Sequence, residues 1–331
     1  MNQFYFIQNL SEWHFSCRKN YNKDWLEATG LLNNEETKSL NALKKMLQKY
    51  GFKRLKKSKA QNIFDYLLRY DTFSDESEIL SKPELQTYLN AMNTLKPRFD
   101  KIWNQQSKNF SNVQKELTER FNSTEKQIEK DLMTLFQDAD FGQEINIILL
   151  LSTGERGGGG GANNGPNIIT LECSSLNEKY IAYELFIIWH EIAHMVLKKY
   201  TEKLIKVLEN NQIIVQASRE AEKINFNYVK ELYIYSLFTD VSYLTCRYFP
   251  TESCLILNKA VENDDSEWLY NTKKTFPIYL MYLNGQFIKI KLENKEGISV
   301  KDMAGEIVKN HKLTEKYFKN HNKKVVWFLY N

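Results

Sequence analysis

The chain is poor in the residues that interrupt helices. Its 331 residues include 5 Pro and 13 Gly, and five of those glycines stand in one run at 157–161. Proline and glycine are the least favourable residues in a helix interior, so their scarcity predicts a mostly helical fold. Hydrophobic residues make up 42% of the chain and charged residues 26%. That composition is ordinary for a soluble globular protein.

Export and membrane segments are also lacking. The N-terminus does not have the basic start and apolar stretch of a secretory signal, and no run of about 18 apolar residues could cross a membrane. The four cysteines form no Cys-x-x-Cys pair, which predicts reduced and buried thiols. We therefore expect a cytoplasmic protein with no membrane partner. The cysteines are Cys17, Cys173, Cys246 and Cys254.

The chain has no strong excess of charge of either sign. The 45 basic and 41 acidic residues leave a net charge of +4. The densest basic stretch, 53–59, lacks interleaved aromatic residues, and a short lysine run of this kind is usually a solvated face. We therefore expect no nucleic-acid partner.

Helical patterns dominate the first part of the chain, and we assign 1–140 to an N-terminal helical region. Asn33 and Glu36 are placed to open a helix that Gly51 closes. Further helices are predicted from apolar periodicity near 60–70, 83–105 and 110–138.

The pattern changes after this region. Two apolar, β-branched runs, 145–151 and 167–171, predict buried strands on either side of the glycine run. Two long helices are predicted to follow them, at 177–199 and 213–247.

We assign 141–255 to a core domain and 256–331 to a C-terminal mixed subdomain. Within the subdomain, 278–290 has the pattern of a hairpin with a two-residue turn, and a helix that ends at that turn fits almost as well. Ser299 can cap a final helix that ends near residue 311.

The clearest candidate for a functional site is the motif His190-Glu191-Ile192-Ala193-His194. Two histidines four residues apart share one helix face, so both imidazoles can reach a single ion. The glutamate after the first histidine is offset from the pair and can hold a water without coordinating the ion. Because the chain has only five histidines, chance rarely produces this pattern. The alternative is a helix whose two histidines merely hydrogen-bond in a core.

On this motif the sequence resembles the zincin metallopeptidases, over roughly residues 110–245. The resemblance implies an α+β, mostly helical protein. Its zincin-like catalytic core, at 141–255, would hold a small sheet and two active-site helices. Leu197 and Tyr200 stand where metzincins have a glycine and a third histidine, and the Gly-Thr-x-Asp segment of the aspartate type is absent. The chain is therefore most similar to gluzincins, in which a glutamate from the next helix completes the site.

Several downstream glutamates could be that ligand. Glu231 is the single charge in an apolar stripe of the predicted helix at 213–247, and a lone carboxylate is costly to bury unless it is paired or binds a metal. Glu231 is therefore the predicted third ligand, with Glu222 the next candidate. A pair with Lys230 or another buried base is the alternative for Glu231. The stripe consists of Ala217, Ala221, Ile224, Tyr228, Glu231, Tyr235 and Phe238.

The resemblance implies a zinc-dependent hydrolase of the peptidase type, with a peptide or protein substrate. His190, His194 and Glu231 would hold Zn²⁺, and Glu191 would be the general base toward a metal-activated water. The strand at 167–171 would be an edge that binds extended substrate. The candidates for an oxyanion donor are Tyr243, Tyr282, His311 and His321.

Two other function classes stay open. A non-catalytic zinc-binding interaction protein with a zincin-like fold would keep the metal without hydrolysis, and a metal-free helical scaffold would bind none. The sequence does not choose an oligomeric state.

Overall fold

A computed structural model describes most of the chain, and the described part is mostly helical with one small sheet. For a few residues the backbone alone is described, namely 161–163, 178–180, 217, 218 and 220–222. The described residues are 1–14, 17–56, 58, 60–70, 79–153, 161–163, 167–173, 178–222, 244, 247–249 and 287–309.

The helices and strands alternate little along the chain, because the strands stand together between two helical regions. The elements are α1 (Asn2–Ser11), α2 (Lys19–Thr29), α3 (Asn34–Tyr50), α4 (Ile63–Leu68), α5 (Lys82–Leu135), β1 (Asn146–Leu151), β2 (Gly161–Asn163), β3 (Ile168–Cys173), α6 (Glu178–Val196), α7 (Lys198–Glu209) and α8 (Gln212–Glu222). Two further segments, 287–293 and 300–309, are helical.

The chain forms two compact units. Among the described residues, the first unit holds Met1–Thr118 and Ile145–Glu184, and the second holds Glu119–Glu144 and the residues from Leu185 onward. The sheet therefore belongs to the same unit as the N-terminal helices. The division into 1–140, 141–255 and 256–331 stays a prediction.

The first unit is built on a large apolar core. Aromatic residues of α1 lie at its centre, where Phe6 packs against Trp25 of α2 with ring centroids 4.7 Å apart. The side chain of Asn2 ties the start of α1 to β1, because it accepts from the backbone N–H of Leu151 at 2.6 Å and donates to the carbonyl of Leu149 at 3.1 Å. The strand predicted at 145–151 is confirmed as β1.

The helix predicted to open at Asn33 is confirmed as α3. The Asn33 side chain accepts from the backbone N–H of Glu36 at 2.9 Å, and the Glu36 carboxylate accepts from the N–H of Asn33 at 2.8 Å. These reciprocal bonds satisfy two backbone donors that a helix start leaves open. Gly51 ends the helix with φ at 58°, a conformation that favours glycine.

The sheet has β3 in its middle. β1 pairs with β3 in parallel, and β2 pairs with the other side of β3 in the antiparallel sense. Both sides of β3 are therefore occupied at 169–171. The expectation that 167–171 forms an edge for extended substrate is wrong there, because a strand paired on both sides has no free backbone groups to offer.

The helix α5 is continuous over 54 residues, where the sequence predicted two helices. Its C-terminal part lies in the second unit, together with the C-terminal part of α6. There Phe136, just after α5, packs edge-on against Tyr200 of α7 at 5.0 Å between ring centroids. The backbone N–H of Asp140 donates to the carbonyl of Val196 at 3.0 Å, which joins the end of α6 to the segment after α5.

The last described helix begins where the sequence predicted it. The segment before it differs from the predicted hairpin. Ser299 caps the helix at 300–309, because its Oγ accepts from the backbone N–H of Asp302 at 3.1 Å. The second half of the predicted hairpin, 287–290, is helical. A short apolar run has too few residues to separate a strand period from a helix period. The first half of the hairpin lies outside the described residues.

Within the described part of the chain, no helix is both long enough and apolar enough to cross a membrane.

Candidate metal centre

The helix α6 carries the His-Glu-x-x-His motif, as predicted, and ends at Val196 rather than near 199. Its sequence is apolar around the motif, and a helix that is apolar on nearly every side is a buried one. The structure agrees with this pattern. Met195, directly after the motif, is half-buried. Seven other apolar residues in and around the motif are at most 7% exposed, namely Ile187, Ile188, Trp189, Ile192, Ala193, Val196 and Leu197.

An aromatic contact fixes the rotation of the motif helix within the second unit. The indole ring of Trp189 stacks on the ring of Phe121 in α5, with centroids 5.0 Å apart and planes 10° apart. Trp189 is 1% exposed and directly precedes His190. The two residues are far apart in the chain, and no local pattern in the sequence indicates that their rings stack.

The two histidines of the motif lie together, as their spacing predicts. The ring centroids of His190 and His194 are 5.3 Å apart, and the ring planes are nearly perpendicular at 88°. For a zinc ion bound tetrahedrally at about 2.0–2.1 Å from one nitrogen of each ring, the two centroids would lie about 5.2 Å apart. The separation of the two rings is therefore close to that of a pair that shares a zinc ion.

Both imidazoles are held in the neutral form. Burial, followed by the neighbouring ring of His194, lowers the pKa of His190 to about 3. Burial lowers the pKa of His194 to about 4. A metal ion binds the neutral imidazole, so protons do not compete for these nitrogens at neutral pH.

Glu191 is the most deeply buried of the three polar residues, at 8% exposed, while the two histidines are half-buried. Burial raises the pKa of Glu191 to about 7. A carboxyl group that titrates near neutral pH can both accept and return a proton, which is what a general base of an amide hydrolysis must do.

The third ligand is not defined by the described residues. Glu231 lies outside them, and of Glu222 the backbone alone is described, as the last residue of α8. In the described part of the chain, no group of three or more His, Cys, Asp or Glu side chains lies close enough together to hold a metal ion. The described residues thus supply two candidate ligands and a candidate base.

The other predicted site residues have mixed outcomes. The oxyanion candidates Tyr243, Tyr282, His311 and His321 lie outside the described residues. Cys17 and Cys173 are confirmed as free, buried thiols, and burial raises the pKa of Cys17 to about 11.

Comparisons with protein-family models, with curated proteins and with solved structures found no match. The resemblance to the zincins therefore stays a prediction from the sequence.

Proposed function

We propose that this chain is a zinc-dependent hydrolase of the peptidase type, with its site on α6. The observation that carries the proposal is the pair of neutral imidazoles 5.3 Å apart, with a buried carboxyl group between them in sequence. A shared tetrahedral ion needs two rings at about this separation, and the motif adds a carboxyl group directly after the first of them.

The residues of the chain have separate roles in this proposal. His190 and His194 would hold the ion together with Glu231, which arrives from the predicted helix that begins at α8. Bound zinc would lower the pKa of a water toward about 7 and polarise a carbonyl group. Glu191 accepts a proton at its carboxylate and returns it to the leaving amine.

The proposed substrate is a peptide or protein, and the proposed fold around the site is a zincin-like core with α6 as its first active-site helix. The middle position of β3 limits how that substrate could bind. An extended peptide would not add a strand at 169–171, because both sides of β3 are paired there. Substrate contacts would then come from side chains and from other backbone segments.

Metal analysis of purified variants tests the proposal. We expect wild type to hold one zinc per chain, and we expect His190→Ala and Glu231→Ala each to lose it. Glu222→Ala should retain zinc, and Glu202→Ala, on the exposed face of α7, is a matched control that should also retain it. Zinc lost in Glu222→Ala but kept in Glu231→Ala would move the third ligand to Glu222.

Two results would reject the proposal in different ways. A wild-type chain that holds no zinc after refolding with the metal would contradict the metal site itself. Zinc bound at one per chain, without cleavage of any peptide library, would favour a non-catalytic zinc-binding interaction protein instead.

A further inference from the structure

Basic residues are concentrated in one segment of the first unit. Residues 37–64 contain nine of the 45 basic residues and none of the 41 acidic ones. The rest of the chain therefore has 36 basic and 41 acidic residues, a net charge of −5. The positive charge of the protein is thus a property of this segment, which covers most of α3 and the loop after it.

An exposed aromatic ring stands inside this segment. Phe52 directly follows the glycine that ends α3, and 47% of it is exposed. Its ring packs against Trp13 at 5.0 Å between centroids and meets the edge of His14 at 4.6 Å. The side-chain amide of Gln48, one turn before, donates to the carbonyl of Trp13 at 3.2 Å. These contacts hold the Phe52 ring in a fixed position while part of it faces solvent.

Cationic side chains border the ring on both sides in sequence. Lys53, Arg54 and Lys56 follow Phe52 and are exposed, and Lys45 on α3 is exposed too. Among the described residues of the segment, Lys49 is the one paired with a carboxylate, that of Glu84. The remaining described cations are thus available to an anionic partner.

We propose that Phe52 and the basic residues Lys45, Lys53, Arg54 and Lys56 form a binding surface for single-stranded nucleic acid. A base stacks on the exposed face of the ring, and the cations contact the adjoining phosphates, which is how sequence-tolerant single-strand binders work. The expectation of no nucleic-acid partner assumed that no aromatic platform accompanies the lysines. Trp13 and His14 supply the support for one from a distant part of the sequence.

The surface fits a single strand better than the other anionic polymers. A duplex keeps its bases stacked inside, so an exposed ring would gain nothing from it. A membrane-bound helix buries a broad apolar face, but the exposed side of α3 is polar and Phe52 is a single ring. The surface needs no zinc, so it is independent of the proposed hydrolase.

Fluorescence anisotropy with a labelled single-stranded oligonucleotide tests this surface on the full chain. We expect Phe52→Ala to weaken binding by roughly 5-fold to 100-fold through the loss of one stacked base, and Phe52→Tyr to keep it. Leu31→Ala removes a side chain that is 87% exposed elsewhere in the first unit and should change nothing. The triple variant Lys53→Gln, Arg54→Gln, Lys56→Gln should reduce the slope of log affinity against log salt by about 2.

Three outcomes would overturn the proposal. The first is no binding by wild type at low salt. The second is equal weakening by a control triple on α5, made of Lys101→Gln, Lys108→Gln and Lys130→Gln, which are exposed in the same way. The third is binding to vesicles of anionic phospholipid, lost in Phe52→Ala, with no binding to the oligonucleotide. Circular dichroism of each variant separates these results from a loss of folding.

Discussion

Buried polar groups have different surroundings in the two units. In the first unit, the carboxylate of Asp65 is fully buried, and it accepts two hydrogen bonds from the guanidinium of Arg69, at 2.7 and 2.8 Å. It also accepts one from the backbone N–H of Gln61 at 2.8 Å. Each of the two carboxylate oxygens therefore accepts at least one hydrogen bond, and the Arg69 guanidinium balances the charge of Asp65.

In the second unit, burial has the largest influence on the pKa values of the motif residues. It lowers the pKa of both histidines and raises the pKa of Glu191 to about 7. Removal of one partner from a buried ion pair destabilises a fold strongly. Polar groups displaced from their ordinary pKa by burial occur at functional sites, and they also occur at structural positions such as Cys17 and Tyr21 of the first unit. The comparison thus sets a paired carboxylate of the first unit against the buried polar groups on which the proposed hydrolase depends.

The largest expected effect is on turnover. Glu191→Gln keeps the shape of the side chain but removes the proton acceptor, so we expect peptide hydrolysis to fall by roughly 10²-fold to 10⁴-fold. Zinc content should stay at that of wild type. A library of quenched fluorescent peptides measures the rate, and Glu202→Gln is the control. Full activity in Glu191→Gln would place the base elsewhere.

The buried carboxylate of Asp65 should affect stability rather than turnover. Asp65→Asn leaves the Arg69 guanidinium buried and without a counter-charge, which should lower the free energy of unfolding by about 3 to 5 kcal/mol. The exposed pair of Lys96 and Asp100 is the control, because Asp100→Asn should cost less than about 1 kcal/mol. Chemical denaturation measures both. Similar losses in the two variants would contradict the distinction between buried and exposed pairs.

Zinc should stabilise the second unit through the motif. At about 100 times its dissociation constant, a ligand that binds the folded state alone adds roughly 2.7 kcal/mol. We expect zinc to slow amide hydrogen exchange at 185–196, and we expect His194→Ala to abolish that effect. Equal zinc-dependent protection in His194→Ala would show that the ion binds at another place.

The smallest expected effect is on the pH dependence of stability, through Glu84 in the first unit. Burial alone would raise the pKa of Glu84, but hydrogen bonds from Lys49 and Ser81 outweigh it and lower the pKa from 4.5 to about 2. A carboxylate with a depressed pKa stabilises the fold above its ordinary pKa, and that contribution is lost as the pH falls from about 5 to 2.

Glu84→Gln should therefore lower the free energy of unfolding by about 1 to 2 kcal/mol at pH 7 and by almost nothing near pH 2. The value at pH 7 takes into account that Lys49 is exposed, because solvent weakens an exposed ion pair. Urea denaturation across this range measures the difference from wild type. Glu27→Gln, in an exposed pair with Lys23, should show no such pH dependence. A constant difference across the range would contradict the assignment to Glu84.

Local patterns in the sequence predicted the local features of the fold. The capping residues Asn33 and Ser299, the apolar runs of β1 and β3, and the motif helix all depend on residues within one or two helical turns. The spacing of His190 and His194 is likewise a local property, and it was enough to bring the two rings together.

Features that depend on distant residues could not be predicted. The pairing of β2 with β3 involves Gly161–Asn163, a segment with no apolar alternation. The apolar periodicity predicted separate helices near 83–105 and 110–138, but α5 continues through the residues between them. The platform at Phe52 needs Trp13, which is far away in the chain. The choice of Glu231 depends on the phase of the helix predicted at 213–247, and the residues after Glu222 that would set that phase lie outside the described part, apart from Leu244 and Arg247.

The two buried thiols of the first unit supply a measure of its opening. A thiolate is the species that alkylating reagents attack, and with its pKa at about 11 the thiol of Cys17 holds roughly one part in a thousand of thiolate at pH 8. Cys173, at the end of β3, is fully buried, and its pKa is raised well above the ordinary value by burial. Alkylation of either sulfur must therefore wait for the surrounding side chains to part. The rate of label uptake at these two positions reports, without any engineered probe, how often the N-terminal helices and the sheet come open.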